Sequence, residues 1–163
     1  MKEILKKLNA CNSAMDWANG KTWEEVYNTC HRGDWLLWLF KKTNPDDLRR
    51  ITLAKGHCAA TVIHLMKSDR SINAIKVAIA YGEGNASKQD LNLAAGYAGA
   101  AYAGAAYAAA YAGAAYAADA AAAAAAAAGY AGAAGYAAAK LQNQKETADI
   151  CRKYLPINIW NIN

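Results

Sequence analysis

The sequence predicts an all-α fold: a multi-helix bundle with two long Ala/Tyr-rich antiparallel helices in its C-terminal half. Three observations carry that expectation. Across residues 94–139 only Ala, Gly and Tyr occur, apart from Asp119, and alanine is the best helix former. Outside that tract, apolar residues recur at three- and four-residue steps, the period of one helix face. Two capping-box patterns, Thr22 to Glu25 and Ser87 to Asp90, mark helix starts.

The elements follow in order. Ile4, Leu8, Cys11, Met15 and Ala18 form one stripe, predicting a first helix over residues 2–18, stopped by Asn19-Gly20. Thr22 caps a short helix ending near Cys30. Gly33 breaks the chain, and Asp34 is read as the N-cap of the next segment, 35–40. That segment, Trp-Leu-Leu-Trp-Leu-Phe, is apolar on every side, so it belongs at the centre of the bundle with Trp35 and Trp38 as core. Asn44-Pro45-Asp46-Asp47 reads as a cap, a proline at the first helical position and two acids at the positive helix end. The helix it opens is expected to reach residue 66, with Leu48, Ile51, Cys58, Val62 and Leu65 inward. Another helix covers 71–81 with Ile72, Ile75 and Ile79 buried, and Gly82-Glu83-Gly84-Asn85 ends it.

The alanine tract is low in complexity but not disordered by composition. A single helix of its length would span about 70 Å, too long for a compact domain of this size. At least one reversal is therefore expected, with Gly113, Asp119, Gly129, Gly132 and Gly135 as candidates. The favoured arrangement is one helix over 87–116 and a second over 119–154. Pro156 stops the latter, and the tail with Ile157, Ile159 and Trp160 should dock on the bundle. The whole is read as one domain, 1–163: mixed-composition helices over 1–85, an Ala/Gly/Tyr-rich helical hairpin over 86–155, and an apolar tail over 156–163.

Charge and motifs exclude several function classes. The net charge is +5, but the basic residues are scattered as short pairs beside acids, which describes solvated helix faces and no nucleic-acid track. Ala, Gly and Tyr gain little from transfer to hydrocarbon, and a mid-tract Asp costs about 3 kcal/mol, so no membrane partner is expected. The N-terminus shows no secretory h-region, and Cys11, Cys30, Cys58 and Cys151 lack a Cys-x-x-Cys spacing. They read as reduced, half-buried thiols of a cytoplasmic protein. Adjacent pairs such as Cys30-His31 and His57-Cys58 point about 100° apart on a helix and suit a metal poorly. No phosphate loop, nucleophile elbow or zinc-protease motif occurs. No enzyme, metal or cofactor is expected, and His57 and His64 are read as partly exposed or hydrogen-bonded histidines. The Tyr steps at Tyr97, Tyr102, Tyr107, Tyr111 and Tyr116 drift around a straight helix, so part of that set must face outward. These tyrosines, with the isolated Asp119, are the candidate partner-binding residues.

Residues 17–39 resemble the signature of family five of the immunity proteins of bacterial polymorphic toxin systems, centred on Arg32-Gly33-Asp34-Trp35-Leu36-Leu37-Trp38. Downstream, the helix carrying Leu53 and Cys58, the Gly-Glu-Gly turn at 82–84, the Ala/Tyr stretch and the closing Ala-Asp-Ile-Cys-Arg-Lys-Tyr-Leu-Pro at 148–156 follow in the same order. The tract departs from such stretches in carrying almost no charge. The resemblance implies an all-α protein that binds a cognate protein toxin and blocks it by occlusion. The competing reading is a structural, self-assembling helical protein, phage- or mobile-element-borne, whose partner is a second copy of itself. An ice-binding role is disfavoured by the lack of a Thr array.

Overall fold

A computed structural model describes residues 1–66, 68–101 and 133–161. Among them there is no strand; the elements are α1 (Lys2–Lys7), α2 (Asn12–Trp17), α3 (Trp23–Thr29), α4 (Gly33–Thr43), α5 (Leu48–Ala60), α6 (Asp69–Glu83), α7 (Lys88–Ala101) and α8 (Ala133–Tyr154), with 3-10 turns at Ile63–Leu65 and Ile157–Ile159. The fold is all-α, as the composition predicts.

The expected first helix is divided in two. Asn9 takes a left-handed conformation, φ 62, which asparagine tolerates better than most residues. The extended backbone at Cys11 then starts α2. Leu5 is the buried residue of α1, while Cys11, assigned to the apolar stripe, is exposed. The chain therefore changes direction where periodicity alone saw one face.

At α3 the capping box forms in full. The Glu25 N–H donates to Thr22 Oγ1 at 3.1 Å, and the Thr22 N–H donates to Glu25 Oε2 at 2.7 Å. The far end is closed from a distance. Arg152 donates through Nε to the Tyr27 carbonyl at 2.9 Å and through Nη2 to the Cys30 carbonyl, and the Tyr27 hydroxyl returns a bond to the Arg152 carbonyl at 2.9 Å. A cation at orphan carbonyls is the favourable sign for a helix C-terminus.

Helix α4 runs through the core, with Leu36, Leu37, Leu39 and Phe40 buried. Two expectations for it are corrected. Asp34 is not its cap: the helix begins at Gly33, placing Asp34 in the first turn, where Arg32 takes both carboxylate oxygens. Trp35 and Trp38 are half-buried, packed against the edge of the core cluster. Asn44 likewise caps no helix start. It ends α4, its Nδ2 donates to the Ile159 carbonyl at 2.7 Å, and its Oδ1 accepts from the Asn161 N–H at 3.3 Å. Asp47 caps α5 instead, accepting from the Arg50 N–H at 3.2 Å. The tail therefore docks as expected: Trp160 is buried, edge-on to Tyr27 and Phe40, with its Nε1 donating to the Leu155 carbonyl at 2.8 Å.

Helices α5 and α6 form a close antiparallel pair. A Cβ on Gly56 would lie 2.8 Å from Ile79 Cγ1, and one on Gly82 would lie 2.4 Å from Leu53 Cβ. The two glycines face bulky partners in reversed order along the two helices, so each helix supplies both a notch and a side chain to fill one. Leu48 and Leu65, expected inward, are 40% and 41% exposed: Leu48 is the first residue of α5, and Leu65 lies in the 3-10 turn that follows the helix end at Ala60. At the other end of α6, Gly84 takes φ 88 as the left-handed cap, and Arg49 donates to the Tyr81 carbonyl at 2.6 Å.

Helix α7 opens with the second capping box, Ser87 and Asp90 bonding each other's backbone N–H at 2.9 and 3.1 Å. It packs on α6, where Ala94 meets Ala74 and Val77. Helix α8 packs on α4 and α5. Gly135 lies inside α8 and does not reverse the chain; the other candidate reversals fall outside the described residues.

Candidate functional site

Of the residues expected to bind a partner, Tyr97 is described, at 64% exposure on α7. Leu93, one turn earlier, is 51% exposed, so the two share a face. Tyr102, Tyr107, Tyr111, Tyr116 and Asp119 lie outside the described residues.

The Arg32-Gly33-Asp34-Trp35 motif has separable roles. A Cβ on Gly33 would sit 2.5 Å from Thr147 Oγ1 and 2.6 Å from its backbone carbonyl carbon, so this position sets how closely α4 approaches α8. The Cys151 thiol donates to the Gly33 carbonyl at 3.4 Å across that contact. Arg32 bridges outward: it binds Asp34 and lies over the Trp35 ring, 4.8 Å from its centroid. The bond to Asp34 holds the guanidinium pKa above its ordinary value. Trp35 is tilted against Trp17 at 6.0 Å, Trp17 meets His31 edge-on at 6.4 Å, and Lys21 covers the Trp17 ring at 4.4 Å. The result is a run of indoles clad in cations, a partly desolvated cation–π arrangement.

Beneath that run lies a half-open cleft of about 340 Å³, walled by Leu5, Trp17, Val26, Trp35, Trp38 and Leu39. Sequence reasoning missed it. The indoles were legible as a cluster, but the cleft depends on the turn at Asn9 that swings α2 away from the axis of α1. The left-handed Asn9 has no strong sequence mark.

The remaining chemistry is muted. Cys30, Cys58 and Cys151 are buried and free. A hydrogen bond with Cys58, then burial, pushes the Cys151 thiol well above its ordinary pKa, and burial raises Cys30. Such thiols stay protonated and are poor nucleophiles. Burial rather than half-burial is thus the finding for these three. His57 stacks flat on Tyr154 at 4.3 Å, with its Nε2 buried and unpartnered among the described residues, and burial lowers its pKa. Burial, with Lys41 nearby, lowers the Lys55 amine to about 8. Among the described residues no group of His, Cys, Asp or Glu could hold a metal ion, and no helix is long and apolar enough to cross a membrane.

Set beside known proteins, the chain matches no family model, no curated protein and no solved structure.

Proposed function

We propose that this protein is an immunity-type protein that binds a cognate bacterial toxin in the cytoplasm and neutralises it by occlusion, without catalysis. The docking face would be the outward side of the two long Ala/Tyr-rich helices. The observation that supports this reading is the exposed pair Leu93 and Tyr97 on α7. A large aromatic ring one turn from a leucine, with small side chains at Ala94, Ala95 and Gly96 between them, is the composition of an interface anchor. Tyrosine has few rotatable bonds to immobilise and carries a polar tip that can find a partner.

The test is protection. If a toxin gene neighbours this one, cells expressing that toxin should survive when the wild-type protein is co-expressed. Leu93→Ser with Tyr97→Ser should abolish survival while leaving helical content intact. Unchanged survival, together with unchanged mass in solution, would rule the face out. A drop in solution mass with survival unaffected would move the protein to the self-assembling class.

A further inference from the structure

We propose that the tryptophan-walled cleft under α1 and α2 is a binding site for a small, neutral, aromatic molecule. This inference stands apart from the α7 face, since none of the cleft's lining residues belongs to α7.

Three features argue for a ligand. The first is size. Protein interiors are packed with few voids larger than a water, and ligand pockets begin at about 300 Å³. An apolar void of about 150 Å³ already admits one benzene ring, so a cleft of about 340 Å³ has room for two fused rings. The second is the wall. Trp17, Trp35 and Trp38 come from α2 and α4, and Leu5 and Val26 close the space from α1 and α3. Indole faces and edges set at different angles suit a flat aromatic body through stacked and edge-on contacts. The outer cladding holds them in place: Lys21 lies over Trp17 and Arg32 over Trp35. The site is therefore formed before anything binds.

The third feature is charge. Among the described residues, Asp34 is the one charged residue lining the cleft, and both of its oxygens are held by Arg32. No uncompensated charge faces the space, so a charged ligand would be desolvated without a partner. The Asn9 side chain also lines the cleft and makes no hydrogen bond among the described residues. Its amide offers both a donating NH₂ and an accepting carbonyl oxygen to a single polar group on the ligand. A neutral ring system bearing one hydroxyl or ring N–H meets all these conditions.

The protein carries its own reporters: the three tryptophans, and Cys11, an exposed thiol on the cleft's lining. The full chain is titrated at pH 7 with 2-naphthol, with naphthalene-2-sulfonate as the charged counterpart of the same ring. Tryptophan emission should change saturably with 2-naphthol, and alkylation of Cys11 by a maleimide should slow at least threefold at saturation. The sulfonate should bind at least tenfold more weakly. Ala14→Leu, which fills the cleft from α2, should weaken 2-naphthol at least tenfold with helical content unchanged. Ala10→Leu fills it from the neighbouring turn and serves the same purpose if the first variant does not fold. Absence of a saturable change, equal binding of the sulfonate, or undiminished binding by a folded filling variant would each overturn the proposal.

Discussion

Helices α7 and α8 flank the same alanine tract, yet they meet the body of the protein in opposite ways. Helix α8 is polar in composition along its described side chains, but it buries Asn143, Gln144, Thr147, Ala148 and Cys151 between α4 and α5. Helix α8 also packs Ile150 and Tyr154 against the core, whereas α7 leaves its large apolar Leu93 and Tyr97 in solvent and buries Ala94. Hydrophobicity alone does not explain why α8 buries polar residues while α7 exposes apolar ones. What decides is fit. Thr147 satisfies its own hydroxyl on the Asn143 and Gln144 carbonyls at 2.9 and 3.0 Å, and Asn143 donates to Thr61 Oγ1 at 2.9 Å. Polar groups that are hydrogen-bonded can be buried at little cost; the Asn143 Oδ1 is the exception, buried without a partner among the described residues, and the modest size of these side chains lets α4 come within reach at Gly33. Leu93 and Tyr97 have no groove of matching shape among the described residues.

The sharpest way to break this comparison is at Gly33. Gly33→Ala places a methyl against the Thr147 backbone, which cannot rotate away, so overpacking should cost about 3 kcal/mol in a urea titration. A cost under about 0.5 kcal/mol would show that the α4–α8 contact is loose and that fit does not hold α8. Next is Arg152→Ala. It removes charge-assisted bonds to the Tyr27 and Cys30 carbonyls and should destabilise by about 2 kcal/mol, with Arg152→Lys recovering only part, since a single ammonium cannot span both carbonyls as the guanidinium fork does. On α7 the sign should invert. A Cβ on Gly96 meets nothing within 4 Å among the described residues, so Gly96→Ala should stabilise by about 0.5 kcal/mol or slightly more through helix propensity. A destabilising result would mean that α7 is covered where it is described as bare.

The smallest effect is in pH. His57 stacks on Tyr154 of α8, and burial holds its folded pKa below the ordinary 6.5, outweighing the nearby Glu83, which raises it. Below pH 6.5 the unfolded chain takes up a proton more readily than the folded one, so stability should fall as pH drops through that value and level off below the folded pKa. His57→Gln should flatten that part of the profile. An unchanged slope would place the titrating group elsewhere than at the α5–α8 contact.

Much of the local structure was legible beforehand. Both capping boxes form, the run from Leu36 to Phe40 supplies the centre, Gly84 ends α6, and the apolar tail docks. Each of these depends on residues within a few positions of one another, or on a segment too apolar to remain exposed. The misreadings share a different cause. Asn44 looked like a helix start, but its amide is used by Ile159 and Asn161, more than a hundred residues later. Asp34 looked like a cap, but Arg32 holds its carboxylate. The stripe over residues 2–18 looked continuous, but the chain turns at Asn9. In the candidate sites, tyrosine spacing required that part of the set face outward without saying which member, and Tyr97 is one that does, whereas the cleft did not follow from any pattern.

The sequence by itself determined that this protein is helical, where several of its helices start or stop, and that the leucines and Phe40 of one apolar segment would be buried. Those outcomes follow from backbone propensity, capping and burial, which act over one or two helical turns. Only the tertiary structure decided which helices touch, how closely, and what was left open between them. Gly33 against Thr147, Gly56 against Ile79 and Gly82 against Leu53 are each a match of shape between residues far apart in the chain. The cleft is the space that remains when α2 turns away at Asn9. Shape complementarity between distant surfaces has no periodicity to read, because it belongs to the packed pair and to neither strand of sequence alone.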